Sequence, residues 1–184
     1  MTMIDWGNFS GFFTTGIPSE VFYPSLIVTA ILLLVGLMWK RITDKSKYSL
    51  WILLIEYLFV VVCSTFICRN TIIFEFERLQ LIPFWTYMAI IEHTPGVRVW
   101  DIVLNVVLFL PLGFLVKLIK PSISICLMMR IALCISIFIE SNQYFFEKGA
   151  AQIDDVMHNV IGAMIGWSLA YGILSLSCRK IIRK

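Results

Sequence analysis

The chain reads as long apolar runs separated by short polar intervals. Five runs, at about residues 21–39, 50–68, 101–118, 122–140 and 156–177, are mainly apolar. Each matches the span of about 17–25 residues that an α-helix needs to cross a hydrocarbon core. Segments such as LLLVGLMW and LFVVVCSTFI lack the apolar–polar alternation of a barrel strand. A helix satisfies its own backbone hydrogen bonds in lipid, which favours a helical bundle. The pattern predicts an all-α, polytopic membrane protein with about five transmembrane helices, forming one membrane domain over residues 1–184.

A further segment, RLQLIPFWTYMAII, is apolar and aromatic but sits in the otherwise polar interval 69–100. Pro83 makes an uninterrupted span through it unfavourable, because proline lacks a backbone donor. Trp and Tyr settle at membrane–water boundaries. These features predict a short interfacial or re-entrant helix from about residue 84 to 91.

Composition agrees with the pattern. Hydrophobic residues make up 59% of the 184 positions and charged residues 15%, against about 25% charged in an ordinary soluble domain. The five cysteines lie within or beside apolar runs with no CxxC spacing, so they read as small apolar side chains rather than metal ligands. Residues 1–20 contain no Lys or Arg, so a cleaved secretory leader is not predicted and the first span is expected to stay. With a net charge of +3 and no basic cluster at the polar groups, nucleic acid is not an expected partner.

The basic residues set a direction. Lys40, Arg41, Lys45 and Lys47 follow the first span, Lys117 and Lys120 follow the third, and Arg179, Lys180, Arg183 and Lys184 follow the fifth. The opposite side has Arg69, Arg78, Arg98 and Lys148 over a much longer length. By the positive-inside rule the N-terminus is outside and the C-terminus inside. The expected location is the bacterial cytoplasmic membrane.

Polar groups then gather near the outer boundary. Asn105 lies about 6 Å into the third span at a rise of about 1.5 Å per residue. Glu140 and Gln143 end the fourth span, three apart and on one face. Asp155, Asn159, Gly162 and Gly166 form a second stripe, descending the fifth span. The intervening YFFEKGAAQ reads as a hairpin turning at Gly149. An amide below the boundary requires a partner or a cavity, so Asn105 and Asn159 are either interhelical glue or part of a site. Asp154 and Asp155 also suit the N-terminal dipole of a helix. His158 is one position off the Asp155–Asn159 face and is expected to pack in the core.

Other positions read as structural. Gly162 and Gly166 form a small-xxx-small motif that permits close helix approach, either within one subunit or in a dimer. Pro111 and Gly113 in LFLPLGF predict an interruption or kink in the third span. Glu56 and Arg130 fall at similar depth in the second and fourth spans, and a structural ion pair between them is predicted.

LQLIPF, NVVLFLPLGFL and ESNQ followed by DDVMHNVIGAMIG together resemble the VanZ-like family of bacterial membrane proteins. The resemblance rests on Pro83 and Phe84; Asn105, Pro111 and Gly113; Glu140 and Gln143; and Asp155, Asn159, Gly162 and Gly166. It covers residues 79–167 as a core, leaving residues 1–78 as an N-terminal segment with two additional helices. Family members often carry an Arg or a further Asp in the turn where this chain has GAAQ. The resemblance implies a role in the cell envelope and, through the founding member, a link to resistance against teicoplanin-type glycopeptides.

Three classes of function follow, the third being a structural partner within a complex or a small transporter. In the first, Asn105, Glu140, Gln143, Asp155 and Asn159 bind a membrane lipid, a lipoglycopeptide or a cell-wall lipid precursor at an outward-facing polar pocket. In the second, Glu140 and Asp155 serve as acid and base of a membrane-embedded enzyme acting on a lipid-linked substrate. With His158 these carboxylates could alternatively hold a divalent cation, although no cofactor or metal site is assigned. No Walker A, GxSxG or HExxH signature is found. The absence of an internal repeat argues against a repeat-built transporter. The oligomeric state stays open.

Overall fold

The computed structural model describes residues 46–62, 65, 79–94 and 99–182. In chain order these form α1 (Ser46–Val62), β1 (Leu79–Gln80), α2 (Trp85–Ile91), α3 (Val99–Ile119), α4 (Ile125–Phe145), β2 (Ala151–Gln152) and α5 (Ile153–Ile182). The predicted span at residues 21–39 lies outside the described residues, as do Cys63 and Cys68. Within α3, α4 and α5 lie three segments long and apolar enough to cross a membrane, Val99–Ile119, Ile125–Phe145 and Ile153–Leu176; α1 is a shorter apolar helix. The chain is thus a helical membrane protein. Helix α2 occupies nearly the interval that the aromatic, Pro-led segment predicts.

Glycine organises the centre. α3 and α5 run in the same direction, with Gly162 against the Val106 carbonyl and Gly166 against that of Leu110. A Cβ on Gly162 would fall 2.1 Å from that oxygen, one on Gly166 1.9 Å, and one on Gly113 1.8 Å from the Ala163 carbonyl. No side chain fits at those distances, so the two backbones touch directly. Such contacts replace the hydrophobic drive that lipid removes, and they bring Cα–H groups toward carbonyl oxygens. Gly162 and Gly166 are therefore consumed by packing within one chain.

Around this seam lies a core of Phe109, Leu112, Met128, Ala132 and Ala163, all at most 2% exposed. α4 packs antiparallel to α5, and α1 lies along α3. The interior is otherwise lean. Many large apolar side chains, among them Phe59, Phe138, Leu169 and Ile173, point outward, as lipid-facing residues do. Cys126 and Cys134 are on this outward surface too.

Pro111 does not end α3, which is continuous from Val99 to Ile119. A proline at 111 leaves the Val107 carbonyl without its i+4 donor. One residue along, the Tyr57 hydroxyl donates to the Leu108 carbonyl, steadying the disturbed turn from the neighbouring helix. Beside it an apolar groove of about 390 Å³ runs between α1 and α3, walled by Leu53, Tyr57, Val60, Pro111, Phe114 and Leu115.

The far end of α3 closes around a buried lysine. Lys117 is 5% exposed; its Nζ donates to the carbonyls of Pro121 (2.6 Å) and Ile123 (3.2 Å). The ammonium also sits 4.4 Å from the centre of the Trp167 ring, which stacks on Tyr171. Trp167 in turn donates to Ile123 O. By sequence position Lys117 is one of the basic residues that follow the third span. Folding makes it the staple of the α3–α4 turn.

The hairpin after α4 opens on a defined helix stop. Its left-handed non-glycine residue is Glu147, at φ 56°, two positions before Gly149. The Lys148 N–H bonds Gln143 O and the Glu147 N–H bonds Tyr144 O, the paired reverse bonds that stop a helix.

Candidate functional site

The opposite end of the bundle, where α4 finishes and α5 starts, gathers the polar side chains. Its organising group is Asp154, 2% exposed. The Phe84 N–H donates to Asp154 Oδ1 (2.6 Å) and the Thr86 N–H to Oδ2 (2.8 Å). Those are N-terminal donors of α2, which no side chain of α2 itself caps. One carboxylate from α5 therefore caps a helix some 70 residues earlier in the chain. Hydrogen bonds to a charged acceptor each contribute about 1.5–3 kcal/mol.

Further bonds tie the same elements. β1 pairs in parallel with β2, Leu79 opposite Ala151 and Gln80 opposite Gln152. This is a two-residue strand pair in an otherwise helical molecule. Thr86 Oγ1 donates to Gln152 Oε1 (3.3 Å). Gln152 N donates to Glu140 Oε2 (3.2 Å), so Glu140 holds the strand that holds α2. Gln143 Nε2 donates to Thr65 O (3.3 Å), and Asn159 Nδ2 to Ser136 Oγ (2.8 Å). Glu140, Gln143, His158 and Asn159 are all under 9% exposed.

The conformation of α2 is demanding. Phe84 before it and His93 after it adopt φ of 65° and 55°, left-handed values that side chains other than glycine reach at a cost. With Glu147 these are the non-glycine residues of positive φ among the described residues, and all lie at this end. Buried Thr86 and Ala89 seat one face of α2 on the bundle. Phe84, Tyr87, Met88 and Ile91, between 42% and 76% exposed, occupy the other. The Tyr87 hydroxyl reaches back to Nε2 of His158, 2.8 Å away.

The sequence-derived candidates divide accordingly. Glu140, Gln143 and Asn159 come to one end and each bonds a different partner. Asp155 lies half-buried in the first turn of α5, while the clamp on α2 belongs to its neighbour Asp154. Asn105 is half-buried on α3, one residue before the Val106–Gly162 contact, and is none of the groups bonded to Asp154, Glu140 or Asn159. Pro83 is exposed in the turn leading to α2. The predicted Glu56–Arg130 pair is not made. Both Glu56 carboxylate oxygens are enclosed with no hydrogen-bond partner among the described residues, and Arg130 is exposed. The reason is packing: α1 lies against α3, and α4 against α5.

His158 is buried, as expected, but it is also the partner of Tyr87. Tyr87, Thr86 and Ser136 carry no site signal in the sequence, because none stands in a polar run or a spaced motif. Asp154 was visible, but only as a favourable charge at its own helix start. Among the described residues no three His, Cys, Asp or Glu groups stand close enough to hold a metal ion.

A scan against family models matches residues 21–175 to the family described as VanZ/LLP1. The match extends on both sides of residues 79–167, where the motifs lie. Neither the curated proteins nor the solved structures yield a match. The quoted segments occupy structurally linked places: LQLIPF leads into the clamped α2, the Pro–Gly helix and the GAMIG helix share the glycine seam, and ESNQ holds β2. With the family model covering most of its length, the chain belongs to the VanZ/LLP1 family.

Proposed function

We propose that this protein binds a membrane lipid or lipoglycopeptide where α2 lies against the bundle, with that end in the outer leaflet of the bacterial cytoplasmic membrane, and that it acts in envelope resistance to teicoplanin-type glycopeptides. One observation carries the reading. A short helix with an apolar outer face is held by polar groups, buried Asp154 and Glu140 with half-buried Gln152, at the end of a membrane bundle. An acyl chain suits that face, while the neighbouring amides and carboxylates suit sugar, peptide or headgroup atoms. The distribution of Lys and Arg supports the orientation. Family membership supports the envelope role.

The enzymatic alternative gives Glu140 and Asp155 the roles of acid and base; burial of Glu140 favours it. The test expresses wild type and Glu140→Gln, Asp155→Asn and Asn159→Ala variants in a susceptible Gram-positive host, checks folding, and compares lipoglycopeptide susceptibility. Purified protein is then incubated with teicoplanin or envelope lipid. Saturable binding with unchanged ligand mass supports binding over catalysis, whereas full resistance in all three variants removes these residues from the site.

A further inference from the structure

Tyr87 has a hydroxyl whose direction is set from behind. Its oxygen is 2.8 Å from His158 Nε2, and the two rings meet edge to face with centroids 5.7 Å apart. His158 is 3% exposed, and its other ring nitrogen, Nδ1, has no hydrogen-bond partner among the described residues. A neutral imidazole carries one ring proton, on one nitrogen or the other. Placing it on Nδ1 would bury an unpartnered N–H, a rarer and costlier arrangement than a buried acceptor short of a donor. The proton therefore belongs on Nε2, which donates to the Tyr87 oxygen. The phenolic proton is then not used by His158, and Tyr87 lies on the exposed side of α2.

That side is apolar and uncharged. WTYMAII contains no acidic or basic residue, and Phe84, Met88 and Ile91 share the exposed face of α2 with Tyr87. A single neutral donor in such surroundings suits a neutral acceptor oxygen better than a phosphate, which favours cationic partners. We propose that Tyr87 is the ligand-recognising residue of this end of the molecule, donating a hydrogen bond to an acyl-ester carbonyl of a membrane glycerolipid, with the chain beyond that carbonyl lying on Phe84, Met88 and Ile91. His158 is the positioning residue. The assignment rests on the binding function proposed above and moves its polar contact from Glu140 and Asp155 to α2.

The test uses the full-length protein in detergent, titrated with short-chain diacyl phosphatidylglycerol and with its dialkyl ether analogue, which lacks the carbonyls. Retained lipid is read by native mass spectrometry. Wild type should prefer the ester by about three- to tenfold, the range that one neutral hydrogen bond supplies. Tyr87→Phe should bind both lipids equally, and its melting temperature shows whether the fold is kept. His158→Ala should lower the ester preference, and His158→Gln, which restores a side-chain N–H, should recover part of it; a merely structural histidine would leave the ratio untouched. Saturable binding of both lipids with no ester preference, or a preference that survives in folded Tyr87→Phe, overturns the assignment while leaving the binding function standing. A teicoplanin arm separates the sources. Tyr87-dependent binding of the antibiotic without ester preference among the lipids overturns the glycerolipid as occupant. No saturable binding of any of the three overturns both readings.

Discussion

The glycine seam and the Asp154 clamp join distant parts of the same chain by opposite means. Along the seam, α3 and α5 meet through absence: Gly113, Gly162 and Gly166 supply no side chain, and the backbones close the gap. At the clamp, α5 and α2 meet through presence, one carboxylate spanning two backbone donors. The seam lies within lipid-spanning helices, where apolar burial supplies no drive and shape must suffice. The clamp lies at the bundle end, where a short helix of strained ends would otherwise leave its first donors unmet. A steric joint has no graded response to substitution. A hydrogen-bonded joint fails locally.

Substitutions should expose that difference, most severely at the seam. Gly166→Val places a side chain against the Leu110 carbonyl, and overpacking of this kind costs about 1–3 kcal/mol or more. With backbone as the obstacle on both sides, little monodisperse protein should be recovered by size-exclusion chromatography. Gly172→Ala, on the same helix but with nothing within 4 Å of the added Cβ, should change thermal stability by less than about 1 kcal/mol. Equal damage from both would show that helix propensity, not the seam, is being measured.

At the clamp, Asp154→Ala removes two charge-assisted bonds, about 3 kcal/mol of local stability. Amide exchange at Phe84 and Thr86 should rise by roughly 100-fold, while the amides of α3 and α5 near Gly162 keep their protection. Global unfolding in this variant would mean that α2 is integral to the bundle rather than docked on it.

Lys117→Met tests a joint of mixed character at the other end. It deletes two hydrogen bonds and the contact with Trp167 but retains an unbranched apolar stem. A loss of about 1–2 kcal/mol is expected in thermal denaturation, with a shift in Trp fluorescence as the reporter. Smallest of the set is Tyr57→Phe, which loses the bond to Leu108 O and should cost about 1 kcal/mol.

Much of this architecture was legible in the chain. Four of the five predicted spans reach into described residues, and three of those overlap the helices long and apolar enough to cross a membrane. The aromatic segment with its leading proline gave α2 nearly to the residue, and small residues four apart pointed to close packing. What escaped was rotational. Asp154 and Asp155 are equivalent in composition and differ by about 100° around the helix axis; only packing decided that Asp154 faces α2. Glu56 and Arg130 match in depth, yet depth does not say which helices are neighbours. Tyr87 and His158 carry no spacing signal at all, because their helices are separated by two others in the chain.

The sequence by itself determined which segments enter lipid, because burial of apolar runs and self-satisfied helical backbones are properties of each segment alone. It determined the family as well, through the order of short motifs. The tertiary structure decided the partners: which carboxylate caps α2, which hydroxyl backs onto His158, and which strand Glu140 holds. Hydrogen bonds and backbone contacts act over a few ångströms and depend on how each helix is turned, and that turn is set only when all the helices have packed.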